Sequence, residues 1–140
     1  MRKKTETKQS LKKKLDAIFS KYIRLRDCDR NGIVTCPLCW AKIHWKEAQN
    51  MHFVSRGVLK YRFDESNCFA GCKRCNVILN WNYPKYTLFM IDQYWKEYVE
   101  KILNDKEIFK VWIDWYREKI EYYKQEVERL YWDIYVIVED

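Results

Sequence analysis

Two Cys-x-x-Cys pairs, Cys36-Pro37-Leu38-Cys39 and Cys72-Lys73-Arg74-Cys75, constrain this chain more than any other feature of it. A two-residue spacer lets both thiolates of a pair face one ion, so the two pairs together can close a single tetrahedral zinc site. Any fold must then bring residue 36 beside residue 75, and the metal staples a segment too poor in apolar residues to hold itself together. Cys28 and Cys68 complete the six cysteines and have no partner at knuckle spacing. They read as buried thiols, since a free cysteine behaves as a small hydrophobe.

A zinc ribbon needs no histidine between its knuckles and no asparagine directly after its last cysteine, yet this chain has His52, Asn67 and Asn76 in those places. The order resembles that of the HNH (ββα-metal) nucleases, in which a strand, a loop and the start of a helix converge on one catalytic metal ion. Phosphodiester hydrolysis requires an activated water, a cation to take up charge on the phosphate and leaving oxygen, and a group that fixes the base. His52 suits the first role as a neutral imidazole. The side-chain carbonyl of Asn76 suits the second, as a hard oxygen ligand for magnesium or manganese. Asn67 suits the third, by hydrogen-bonding backbone near the histidine. Taken alone, His52 reads as an ordinary core or surface residue; its register with the knuckles and Asn76 is what argues for catalysis. His44, just after the first knuckle, has no partner in register and is expected at the surface.

Charge placement supports a polyanionic partner. Of the net +7, residues 1–30 hold eleven Lys/Arg against four Asp/Glu, residues 31–80 seven against three, and residues 81–140 nine against thirteen. A basic arm and a mildly basic middle suit a phosphate backbone, although a solvated lysine-rich tail is the plain alternative for the arm. Arg56, Lys60, Arg62, Lys73 and Arg74 cluster around the candidate site in sequence and are read as phosphate contacts. No run approaches eighteen uncharged apolar residues and no signal-peptide core follows the N-terminal lysines, so a cytoplasmic protein is expected. Three glycines leave no room for a phosphate-binding loop.

The fold class expected is α+β: a small zinc-stapled ββα-metal core flanked by an N-terminal amphipathic helix and a C-terminal helical pair. Residues 1–30 form the basic arm and helix, 31–83 the core and 84–140 the helical region, as one compact unit. Leu11, Leu15, Ile18, Phe19, Tyr22 and Ile23 recur at helical steps between Lys8 and Asp27. Asn31-Gly32 is a turn signal that leads through Ile33 to Thr35 into the first knuckle, predicting a short hairpin. His52-Phe53-Val54 reads as the strand bearing the histidine, Gly57 to Phe63 as a second strand, and a helix is expected to carry Asn76 in its first turns. Residues Asn80 to Pro84 are expected to break that helix. One further helix is predicted from about Lys85 to Leu103, and another from Lys106 to Tyr131, capped by Asn104 and Glu107. The aromatic stripe of the last helix is wide enough for a helical hairpin or a homodimer through the C-terminal helices.

Taken together, these residues resemble the NinG (Rap) family of phage recombination nucleases within the HNH/endonuclease VII group. The resemblance runs from about Leu11 to the end of the last helix. It rests on Tyr22-Ile23-Arg24-Leu25-Arg26-Asp27, the first knuckle, Trp45, His52-Phe53, Arg62-Phe63-Asp64-Glu65-Ser66-Asn67, Cys72-Lys73-Arg74-Cys75-Asn76, and Asn82 followed by Tyr86. What it implies is a structure-selective DNA endonuclease that cuts branched recombination intermediates such as D-loops and Holliday junctions with a divalent ion. Within that pattern His52 is the general base, Asn76 the metal ligand and the four cysteines the zinc site. The chain departs from it in three places. Gln49-Asn50-Met51-His52 stands where the family has Asp-Ala-Gly-His, Phe69 where it commonly has histidine, and Asn80-Trp81-Asn82 where it has Ser-Gly-Asn. These departures motivate the alternative of an inactive zinc scaffold that binds DNA or assembles other proteins.

Overall fold

The computed structural model describes residues 5–135, without the side chains of residues 79–81. Its first helix, α1 (Lys8–Asp27), starts at a reciprocal cap in which Ser10 N–H donates to Thr7 Oγ1 at 3.1 Å and Thr7 N–H to Ser10 Oγ at 3.0 Å. Leu11, Leu15, Phe19, Tyr22 and Ile23 are buried as their spacing predicts, and Leu25 joins them. After α1, Asp29 Oδ1 accepts from the N–H groups of Asn31 and Ile33, and Gly32 takes the positive φ of 75° that this turn requires. The predicted hairpin follows: β1 (Ile33–Thr35) pairs antiparallel with β2 (Lys42–His44), and the first knuckle is the loop between them.

A second antiparallel pair, β3 (Gln49–His52) and β4 (Cys68–Gly71), sets His52 opposite Cys68 and Met51 opposite Phe69. This sheet separates two apolar cores. On one side Cys68 and Ala70 meet α1 and α6 (Ile113–Tyr135); on the other Met51 meets Phe53, Tyr86, Met90 and the knuckle cysteines Cys36 and Cys75. The fold is therefore a mixed α+β arrangement with two small two-stranded sheets.

Several predicted boundaries are corrected. The histidine strand lies upstream of His52-Phe53-Val54, ending at His52. Gly57 to Phe63 holds no strand but a short helix, α2 (Leu59–Arg62), whose Tyr61 turns inward; the partner strand is β4. Helix α3 (Lys73–Val77) carries Asn76 as expected. The next break falls at Ile78 and not at Pro84, which sits inside α4 (Leu79–Tyr94). A proline this early removes one helical hydrogen bond, and the flanking rings hold the segment down: Tyr83 stacks on Phe53 at 5.1 Å and Tyr86 is fully buried.

The helix predicted to run to Leu103 is broken at Trp95, whose φ of 65° ends α4 and starts α5 (Lys96–Leu103). With a ψ of 164° Trp95 lies in a region almost reserved for glycine, which costs a side-chain-bearing residue about 1–3 kcal/mol. Asn104 closes α5 and does not cap a following helix, because Asp105 and Glu107 are drawn away to Lys60 Nζ at 2.6 and 2.7 Å. Helix α6 consequently begins at Ile113. Its inner residues Ile120, Tyr123 and Val127 are buried on α1, with Tyr123 centred 5.0 Å from Phe19 and 4.9 Å from Tyr22. The aromatic stripe is thus largely used within one chain, while Ile108 and Trp112 ahead of it stay exposed. Asp133 to Tyr135 continue α6 beyond the predicted end at Tyr131, and residues 136–140 lie outside the described residues. Among the described residues no helix is long and apolar enough to cross a membrane.

Candidate functional site

The two knuckles meet. Cys36 directly follows strand β1 and its carbonyl accepts from Trp40 N–H at 2.8 Å, which curls the chain so that Cys39 turns back. Cys72 caps α3, and its Sγ accepts from Cys75 N–H at 3.3 Å. The four sulfurs lie within 4.8 Å of one another, with Cys39 and Cys72 3.6 Å apart, and none is in a disulfide. Zinc–sulfur bonds of about 2.3 Å in a tetrahedron space the sulfurs about 3.8 Å apart, so the cluster fits a metal such as zinc. Without a cation, burial pushes the Cys72 and Cys75 thiols up, whereas a hydrogen bond from the Ala41 backbone pulls the exposed Cys39 down. Metal binding would replace those protons. Cys28 and Cys68 lie apart from the cluster: burial pushes Cys28 up to about 11 and Cys68 higher still, as expected of inert thiols.

Across the sheet a cleft of about 460 Å³ is lined by Asn50, His52, Arg56, Asn76 and Tyr83, and a smaller lobe of about 220 Å³ extends it past Ser20 and Asp16 of α1. His52 Nε2 lies 2.9 Å from the Arg62 carbonyl oxygen. A carbonyl can only accept, so Nε2 carries the proton and Nδ1 keeps its lone pair. Burial lowers the His52 pKa from the ordinary imidazole value, Arg56 and Arg62 add to that, and the Arg62 carbonyl bond and Asp16 oppose it. The ring is therefore held neutral.

Asn67 is fully buried and staples the loop after His52. Its Oδ1 accepts from Val54 N–H at 2.7 Å, and its Nδ2 donates to the carbonyls of Val54 and Tyr61, both at 3.0 Å. Asn76 donates Nδ2 to Gln49 Oε1 at 2.7 Å, which leaves its Oδ1 as an available ligand. Asn50 Oδ1 is buried at the edge of the same cleft without a hydrogen-bond partner among the described residues. Neutral oxygen donors beside an imidazole fit a magnesium or manganese ion that keeps most of its waters.

The cleft brings together His52, Asn76 and Arg56, with Asn67 holding the loop behind them. Two of the expected phosphate contacts are paired with carboxylates. Lys60 is held by Asp105 and Glu107, and Arg62 forms a two-pronged pair with Asp16 at 2.8 and 2.5 Å. Both cations are thus paired with carboxylates, and the backbone oxygen of Arg62 is the one that meets His52. Lys73 and Arg74 stay exposed on α3, and neither lines the cleft. His44 is half-buried, its Nδ1 accepting from Lys46 N–H at 3.2 Å.

Residues 1–132 match the family model described as Bacteriophage Lambda NinG protein. The chain belongs to the NinG family. No curated protein and no solved structure matches it. The departures from the NinG pattern can now be located. Met51 points away from the cleft and lies over Gly71, where an added Cβ would come within 2.3 Å of its Cε. Phe69 packs edge-on against Phe89 at 4.8 Å in the same core. Neither side chain lines the cleft. Gln49 does touch it, as the hydrogen-bond partner of Asn76. Sequence reading missed Asn50, Ser20, Asp16 and Tyr83 as lining residues. Asn50 could have been found, since residues two apart on a strand share a face; the others reach the cleft only through helix packing.

Proposed function

We propose that this NinG-family protein is a divalent-metal-dependent DNA endonuclease of HNH type, acting on branched recombination intermediates such as D-loops or four-way junctions. The observation that carries the reading is that His52 and Asn76 line one cleft beside Arg56, with no hydrogen-bond partner among the described residues for His52 Nδ1 or Asn76 Oδ1. His52 accepts the proton of the attacking water at Nδ1, while its Nε2–H stays on the Arg62 carbonyl and fixes the ring. Asn67 keeps the His52 loop from sagging by satisfying the backbone of Val54 and Tyr61. Arg56, exposed at the rim, binds a phosphate oxygen and helps orient the scissile strand. A magnesium or manganese ion bound at Asn76 Oδ1 would supply charge stabilisation for the phosphate and the leaving oxygen. In this reading the cysteine cluster holds a structural zinc that sets α3, and so Asn76, against β3.

Labelled four-way junction, D-loop and linear duplex are incubated with zinc-loaded protein in magnesium, manganese and EDTA. Metal-dependent cutting that favours the branched substrates is the expected result. Binding to all three without cutting in either metal would favour the inactive scaffold instead, for which the replacement of a carboxylate by Gln49 is the motivating observation.

A further inference from the structure

Trp40, the residue directly after the first knuckle, is 76% exposed and has a φ of 65°, a backbone region that favours glycine. Its ring gains little burial in its own chain to offset that strain. On α4, Leu88 is 68% exposed. Trp40 and Leu88 line one open groove of about 840 Å³ on the outer face of α4, together with Phe89. Lys85 and Asp92 line the same groove, both exposed, and among the described residues neither has an ion-pair partner. Large exposed apolar side chains framed by opposite charges mark an interaction surface.

The charges fit a second copy of this chain. A two-fold axis crossing α4 between residues 88 and 89 lies as far beyond Lys85 as it lies before Asp92. Antiparallel pairing about that axis sets Lys85 against the partner's Asp92 and Asp92 against the partner's Lys85, with the apolar side chains of Leu88 and Phe89 at the centre. Such self-complementarity is what an isologous interface requires. Nucleic acid suits the groove poorly, because Asp92 would face phosphate and no arginine lines it. The C-terminal stripe once expected to mediate pairing is largely covered by α1.

We propose that this chain forms a two-fold homodimer through the outer face of α4, with Trp40 of each knuckle closing over the contact. The interface would also cover Cys39, the one exposed sulfur of the cysteine cluster. This inference is independent of the nuclease reading.

Sedimentation velocity on the full zinc-loaded chain tests it, with circular dichroism to verify that each variant is folded. Wild type is expected to sediment as a dimer, and Lys85→Asp and Asp92→Lys each as a monomer, with self-association weakened at least tenfold. An equimolar mixture of the two variants should restore a dimer containing one of each, because every facing pair is then opposite in charge. Leu88→Glu should be monomeric alone and in any mixture. A wild-type monomer at all concentrations, single variants that dimerise like wild type, or a mixture that stays monomeric would each overturn the proposal.

Discussion

Asn76 donates its Nδ2 to Gln49 Oε1 at 2.7 Å, so one hydrogen bond decides which end of the Asn76 amide faces the cleft. Gln49 occupies the position where the family pattern has an aspartate. If Asn76 is the metal ligand of the proposed reaction, an amide oxygen at residue 49 orients it as a carboxylate would, without adding a charge. Gln49→Leu removes the acceptor and lets the amide rotate. We expect the magnesium concentration for half-maximal cleavage to rise about tenfold, equivalent to one hydrogen bond of about 1.4 kcal/mol, with the melting temperature nearly unchanged. A metal titration of cleavage checks this, and an unaltered midpoint would show that Gln49 does not set the ligand.

His52 gives a pH prediction. Its folded pKa lies below the ordinary imidazole value of about 6.5, with burial as the main cause. The neutral base persists below that pH, so the acid limb of kcat/KM should fall under pH 6.5, and Arg56→Gln should move it upward. The stability sign follows from the same shift. Between the folded and unfolded values the unfolded chain binds more protons, so stability is undiminished above about 6.5 and declines as the pH falls from there toward the folded value. An acid limb at or above 6.5 would contradict the buried, neutral imidazole.

Asn67 is expected to be the costliest polar position to truncate. Asn67→Ala leaves the Val54 N–H and C=O without their partner inside the protein and takes one of two donors from the Tyr61 C=O, which keeps Asp64 N–H at 3.2 Å. A loss of about 2–4 kcal/mol in unfolding free energy is expected, read by urea denaturation with the m-value unchanged. Activity should fall with it, since the same bonds shape the His52 loop.

Salt dependence separates the basic residues. If Arg56 meets a phosphate, Arg56→Ala should reduce the slope of log Kobs against log salt by about 0.9. Lys60→Ala should leave the slope unchanged, because its ammonium is already paired with Asp105 and Glu107. Fluorescence anisotropy on labelled junction DNA at several salt concentrations distinguishes the two.

Chelation should act on structure before chemistry. The knuckle cysteines Cys36 and Cys75 are part of the core that holds Met51, Phe53 and Tyr86. Removing zinc from a zinc-loaded sample, or substituting Cys36→Ser, should lower the melting temperature by more than about 10 °C, consistent with the loss of several kcal/mol in a domain of this size. Differential scanning calorimetry with and without a zinc chelator checks this.

How much of this was legible in the sequence depended on the range of the interactions involved. Helix α1 was read to its end residues because its apolar spacing and its packing agree. The knuckles, Asn67 and the helix bearing Asn76 were readable because metal spacing and short loops are local constraints. The Gly57 to Phe63 strand failed because β-rich composition there serves a single helical turn that buries Tyr61. The Asn104 cap failed because its acidic neighbours answer to Lys60, more than forty positions away in the chain. The ion pairs of Lys60 and Arg62 were illegible for the same reason: a basic residue carries no mark in sequence of the carboxylate it meets. The cleft wall formed by Asp16, Ser20 and Tyr83 depends on how α1 and α4 pack on β3, which no local pattern encodes.

The most direct test of the central claim is single-turnover cleavage of a labelled four-way junction by wild type, His52→Ala and Asn76→Ala in saturating magnesium, with junction binding measured in parallel in EDTA. The account predicts a loss of about 10²–10⁴-fold in rate for His52→Ala, a comparable loss for Asn76→Ala, and binding within a factor of a few of wild type for both. Equal cleavage by wild type and both variants, or no cleavage by wild type while binding is retained, would contradict it.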